Sequence, residues 1–141
     1  MSRIAAAEAF ERAPLLAERV GEGDVDTVIA RARAILDAMT DAERVAVLNA
    51  HPRIGATAGL SARSAAEQGE AADPETSRAL ELLNAEYERT FGFRCVVFLH
   101  GRSRAEIVPV LQARLRRTRH EELTTGIDEF LAIARDRLER A

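Results

Sequence analysis

Asp73-Pro74-Glu75-Thr76-Ser77-Arg78-Ala79-Leu80-Glu81-Leu82-Leu83-Asn84-Ala85-Glu86-Tyr87-Glu88-Arg89-Thr90-Phe91-Gly92-Phe93, residues 73–93, carries the clearest structural signal in the chain. A capping carboxylate followed by proline at the first helical position is a strong helix start, since the N–H that proline lacks would have no intrahelical partner there. Leu80, Leu83, Asn84 and Tyr87 then share one side at helical spacing. The helix is expected to run to about Thr90, where Phe91-Gly92-Phe93 ends it.

Upstream, the same periodicity recurs. Ser61 or Ser64 starts a short helix, and Ser64-Ala65-Ala66-Glu67 has the form of a capping box. Residues 51–61, with Gly55 and Gly59, read as a loop. Thr40-Asp41-Ala42-Glu43 opens a helix through Val45 and Leu48 to Ala50, which Pro52 stops by biasing His51 away from the α region. Asp24 caps Val25–Met39, whose Val28, Ile29, Ala32, Ile35, Leu36 and Met39 form an apolar stripe. Ser2–Val20, interrupted by Pro14, fits two short helices or one kinked helix.

Downstream, Cys95–Leu99 is an apolar run with strand propensity, but no convincing second strand exists to pair with it. A buried extended linker is the expectation. Ser103-Arg104-Ala105-Glu106 opens a helix expected to reach about Arg119, bent or delayed by Pro109. A last helix, about Glu121–Arg140, presents Leu123, Ile127, Phe130, Leu131, Ala134 and Leu138 on one face. The pattern predicts an all-α fold: one compact domain over 1–141, with about seven or eight helices and no sheet.

Composition narrows the chemistry. No apolar run approaches the length of a membrane span, and the first twelve residues lack the features of a secretion signal, so a cytoplasmic protein is expected. Cys95 stands alone, which excludes an internal disulfide and a cysteine-based zinc site. A net charge of −3, five Phe, one Tyr and no Trp argue against a nucleic-acid partner. All 20 basic residues are arginine. A chain without lysine can neither hold pyridoxal phosphate as a Schiff base nor build a P-loop.

Taken singly, the polar residues are ambiguous. His51 follows a helix end, where the negative end of the helix dipole favours an imidazolium, yet a lone loop histidine is commonly a surface or capping residue. Glu67 and Gln68 fit a solvated face as well as a site, and Arg137 fits a surface arginine whose stem covers the core. His100 and His120 flank loops and read as surface residues. Three separated histidines without paired spacing make a weak case for a metal site.

Taken in order, the residues resemble a family. Ala50-His51-Pro52-Arg53-Ile54-Gly55, Leu60-Ser61 and Ser64-Ala65-Ala66-Glu67-Gln68 look like the central signature of the 2-oxo-4-hydroxy-4-carboxy-5-ureidoimidazoline (OHCU) decarboxylases. Leu83-Asn84-x-x-Tyr87-x-x-x-Phe91-Gly92-Phe93 resembles that family's most recognisable segment. The apolar run, Gly101-Arg102-Ser103, Ile107 through Arg114-Leu115, Glu121-Glu122-Leu123 and the closing Arg137-Leu138 continue the pattern. The resemblance covers roughly residues 42–141.

What the resemblance implies is cofactor-free decarboxylation of a small anionic ureidoimidazoline to (S)-allantoin, without metal and in a homodimer. His51 is then the general acid/base, oriented by Pro52. Glu67 and Gln68 bind ureido and ring N–H groups, Ser64 binds at the same helix start, and Arg137 grips a carboxylate or ring carbonyl. Backbone groups of Cys95, Val96, Val97, Phe98 and Leu99 meet the remaining ring edges. Two readings from other classes stand beside this one: a family member without catalysis that serves as a binding or partner subunit, and an unrelated helical interaction module.

Overall fold

The computed structural model describes residues 16, 19–21, 23–54 and 73–140. Among them five helices are bounded: α1 (Val25–Ala38), α2 (Asp41–Ala50), α3 (Pro74–Phe91), α4 (Arg104–Arg114) and α5 (Arg119–Arg140), with no strand. The all-α expectation holds for these residues. They do not reach the expected seven or eight helices. The segments proposed within Ser2–Val20 and from Ser61 or Ser64 lie largely outside the described residues, although Leu16 and Val20 are helical and buried.

The helix starts follow from the caps. Asp24 Oδ1 accepts the Thr27 N–H at 2.8 Å and Asp73 Oδ1 the Thr76 N–H at 2.8 Å. Thr40 with Glu43, and Ser103 with Glu106, form reciprocal boxes in which each side chain accepts the other residue's backbone N–H. One boundary departs from expectation. The helix opened by Ser103 ends at Arg114 rather than near Arg119, and the last helix begins at Arg119 rather than Glu121. The cause is a further box. The Thr118 N–H donates to Glu121 Oε1 at 3.0 Å, and the Glu121 N–H donates to Thr118 Oγ1 at 3.2 Å. Meanwhile the Arg116 and Arg117 N–H groups bond the Ala113 and Arg114 carbonyls in a tighter turn that closes α4. Pro109 does not end α4, which runs through it.

The 22-residue α5 packs against both α1 and α2, while α3 packs on α4. The α2–α5 approach is close: a Cβ placed on Gly126 would fall 2.9 Å from Leu48 Cδ1, so α2 seats its buried leucine where α5 has no side chain. At the end of α3, Gly92 takes φ +82° and folds Phe93 back beside the helix. Tyr87, Phe91 and Phe93 thereby form one cluster, with ring centroids 4.7, 5.9 and 6.2 Å apart. The Arg119 guanidinium lies over the Phe93 ring at 5.4 Å and donates to the Phe91 carbonyl at 3.1 Å, tying α5 to the end of α3.

Beneath that cluster lies a buried ionic network. The Glu122 carboxylate, wholly out of solvent, accepts from Tyr87 Oη at 2.6 Å, Arg114 Nε at 2.7 Å and Arg117 Nη1 at 2.8 Å. Burial opposes the charge on Arg114, but its pKa is nonetheless raised, and the Glu122 carboxylate at 2.7 Å is the counter-charge that offsets the cost. Burial first, then the neighbouring Cys95 and Glu122, pushes the Tyr87 hydroxyl far above its ordinary value, so it remains a neutral donor. Removing one partner of such a cluster leaves an uncompensated buried charge. Glu122→Ala should therefore destabilise the fold by about 3–5 kcal/mol, read from the shift of the urea unfolding curve. A loss below about 1 kcal/mol, the scale of a surface pair, would show that the network is not sealed from water.

Candidate active site

His51 is the C-terminal cap of α2. Pro52 forbids another helical residue before it, so His51 turns extended at φ −75°, ψ 141°, while its N–H still donates to the Leu48 carbonyl at 3.1 Å. The imidazole meets the edge of the Phe130 ring on α5, centroids 6.0 Å apart and planes at 77°. Its Nδ1 atom is buried.

The segment that follows is clamped from α3. Arg53 forms a two-pronged pair with Glu88, Nε to Oε2 at 2.6 Å and Nη2 to Oε1 at 2.8 Å. Buried Asn84 donates from Nδ2 to the Ile54 carbonyl at 2.9 Å. Pro52 and Ile54 are buried between these attachments. Arg94 joins the segment to the apolar run: its guanidinium donates to the His51 carbonyl at 3.0 Å, and its backbone N–H donates to Asn49 Oδ1 at 2.9 Å.

The run Cys95–Leu99 is neither helix nor ladder, and all of it except Phe98 is buried. Side chains and a turn take up part of its backbone. The Val96 carbonyl accepts from Arg114 Nη1 at 2.6 Å, the Phe98 carbonyl from Arg102 Nη2 at 2.8 Å, and the Leu99 carbonyl from Arg102 Nε at 3.0 Å. The Phe98 N–H donates to Glu129 Oε1 at 3.4 Å, a long bond. Glu129 is the neighbour of Phe130, so His51 and Phe98 meet the same turn of α5. The Cys95 thiol is pushed up to about 12, by burial first, with the Glu122 and Glu129 charges adding and Arg114 and Tyr87 opposing. It is protonated at neutral pH and is no nucleophile there.

Arg137 is among the largest fully buried side chains, 1 % exposed. The surface reading is thereby overturned. A guanidinium held out of water must be offset by groups that bind it, and a stem that merely covers the core would leave its head in solvent. Arg137 follows Phe130 by two helical turns on the same face of α5, about 10 Å along the axis. His100 and His120 are exposed, as expected. Ser64, Glu67 and Gln68 lie outside the described residues. A surface cleft of about 200 Å³ between α1, α2 and α5, lined by Asp37, Arg44, His120 and Asp128 among others, contains none of the expected site residues.

Several residues that shape this region were given no role from sequence: Asn84, Tyr87, Glu88, Arg94, Arg114, Glu122 and Glu129. A signal existed for some. Asn84 interrupts the apolar side of α3, and Arg114 lies seven residues after Ile107 on that of α4. Polar groups at stripe positions mark buried hydrogen bonds.

The Arg53–Glu88 clamp has a pH signature. The hydrogen bond from Arg53 holds the Glu88 carboxyl below its ordinary 4.5, against partial burial and helped by the charges of Arg53 and Arg94. A lowered folded value stabilises above pH 4.5 and is lost as pH falls through it. Below pH 4.5 the unfolding midpoint of the wild-type chain should fall more steeply than that of Glu88→Gln. Parallel curves would show that the pair adds nothing to the fold.

The chain is also similar in sequence and fold to known proteins. The chain is similar to the 2-oxo-4-hydroxy-4-carboxy-5-ureidoimidazoline decarboxylase of Haloferax volcanii, 30% identical over 140 residues that cover 93% of this chain and 83% of that protein. It is similar to the protein of the same name from Halalkalicoccus jeotgali, 26% identical over 143 residues, covering 96% and 81%. Its fold matches the crystal structure of an OHCU decarboxylase solved in the presence of (S)-allantoin, with a TM-score of 0.77 at 21% identity over 95% of this chain and 94% of that one. The sequence profile named OHCU decarboxylase matches residues 3–139, so the likeness reaches well upstream of residue 42. The chain belongs to the OHCU decarboxylase family.

Proposed function

We propose that this chain removes the carboxylate of OHCU to yield (S)-allantoin in urate breakdown, without a cofactor. The observation that carries the reading is the enclosed Arg137, two turns along α5 from the Phe130 ring that seats His51, in a chain matched to the family over residues 3–139. A buried cation and an imidazole facing one helix suit a small anion that must be held and protonated.

Loss of carbon dioxide leaves an electron pair on a carbon beside an unsaturated, heteroatom-rich ring. The substrate delocalises that pair itself, and the protein supplies position, charge and a proton to one face. His51 is the proton-transferring group in this reading, with Pro52 and the Phe130 ring fixing its orientation. Arg137 binds the carboxylate or a ring carbonyl as a planar cation. Glu67, Gln68 and Ser64 bind the ureido and ring N–H groups and an oxygen at a helix start. The backbone of Cys95, Val96, Val97, Phe98 and Leu99 meets the ring edge.

His51→Ala should lower turnover of freshly generated OHCU by about two to four orders of magnitude while the helical circular dichroism spectrum is kept. Arg137→Lys, which keeps the charge but not the planar fork, should raise KM along with any fall in kcat. Unchanged turnover in folded His51→Ala would end the assignment of that residue.

The reading also carries a cytoplasmic homodimer. The apolar stripes are largely absorbed by the core, and among the described residues Leu82 is the large hydrophobic side chain left exposed, at 59 %. The dimer thus rests on the family resemblance. Sedimentation at micromolar concentration should give twice the 15.5 kDa chain mass, and a clean monomer would refute it.

A further inference from the structure

Val97 is 5 % exposed, and among the described residues its N–H and C=O meet no hydrogen-bonding partner. Buried backbone groups are nearly always paired, so an unspent donor and acceptor on one residue are open to a partner from outside the chain, a ligand edge or water. The two groups that share peptide planes with them, the Val96 carbonyl and the Phe98 N–H, are already committed. In a planar trans peptide the C=O of one residue and the N–H of the next point in opposite directions. Arg114 Nη1 grips the Val96 carbonyl at 2.6 Å, which turns the Val97 N–H away from the ionic network. Glu129 Oε1 accepts the Phe98 N–H at 3.4 Å, which turns the Val97 carbonyl away from α5. Both peptide planes flanking Val97 are thus held by their far ends.

We propose that Arg114 and Glu129 are positioning residues, which aim the Val97 N–H and C=O as a two-point edge for the donor–acceptor side of a cyclic ureide. Neither side chain touches the ligand. Arg114 suits the task because Glu122 fixes its Nε at 2.7 Å, and the rigid guanidinium then carries Nη1 to Val96 with little freedom. Glu122 is itself held by Tyr87 and Arg117. The inference rests on the decarboxylase reading for its substrate, and on the hydrogen bonds alone for its geometry.

The test compares the full-length wild type with Arg114→Met/Glu122→Met, which removes the clamp and its counter-charge together, and with Glu129→Met and Glu129→Gln. Circular dichroism establishes folding, steady-state kinetics with fresh OHCU give KM and kcat, and calorimetry gives the (S)-allantoin dissociation constant. A misaimed edge should raise KM and the allantoin constant about tenfold, the scale of one hydrogen bond, with kcat within about threefold of wild type. Glu129→Gln keeps an acceptor oxygen and should restore wild-type KM. A merely structural role would instead lower the active fraction and leave KM and the allantoin constant unchanged. Unchanged constants in folded Glu129→Met and folded double variant overturn the proposal, and if the double variant does not fold, the Glu129 pair decides it. A wild-type chain that binds allantoin but does not speed OHCU loss overturns the decarboxylase reading, while weaker allantoin binding by the variants still upholds the edge. Failure of the wild type to bind allantoin overturns both.

Discussion

The Glu122 carboxylate is the point from which the arrangement of the described residues can be traced. It is a full charge with no exposed surface, and removing it from water would be prohibitive without donors in place. Tyr87, Arg114 and Arg117 supply them from α3, α4 and the turn that follows α4. The requirement works in both directions. The acid needs three donors, two from the end of α4 and the turn just before α5 and one, Tyr87, from far away on α3, and α3 has to meet that turn to satisfy it. Apolar packing is tolerant of small slides between helices, whereas this geometry is not, and the irregular run is attached to it through the Val96 carbonyl.

That attachment explains how a segment without regular structure is tolerated in the interior. A β-strand satisfies its backbone by pairing with another strand, and a helix satisfies its own. Cys95–Leu99 does neither, and borrows arginine side chains and one carboxylate instead. The all-arginine composition fits this use. A guanidinium offers five donors in a fixed plane, so Arg114 can bond Glu122 and Val96 at once, and Arg102 can bond Phe98 and Leu99 at once. A lysine ammonium at either position would be a single point with a looser reach.

Much of this was legible in the sequence because it is local. Asp24, Thr40, Asp73 and Ser103 announce their helices through bonds spanning three residues, and Pro52 stops α2 at His51 by steric contact with its neighbour. The Thr118 cap was missed because it lies inside Arg116-Arg117-Thr118-Arg119-His120, where a run of helix-favouring arginines masks the break. The site was legible in part. His51 and Pro52 declare themselves by adjacency, but Arg137 reads as a surface residue until the tertiary fold encloses it. Arg114, Glu122 and Glu129 acquire roles only through long-range contacts that no periodicity records. The resemblance pointed to the segments that contain Arg114 and Glu122, and the structure shows that those two residues make a scaffold.

The close approach of Leu48 to Gly126 has a bearing on the imidazole as well as on the core. Leu48 lies three residues before His51, and its carbonyl receives the His51 N–H at 3.1 Å. Any side chain at position 126 would begin 2.9 Å from the leucine methyl, so either Leu48 turns to another rotamer or the last turn of α2 moves, and a move of that turn carries the histidine with it. The Phe130 ring one turn further along α5 would then face an imidazole set at a different height. A hydrogen atom in place of a methyl group, on the far side of a helix interface, thus helps set where the proposed proton donor stands.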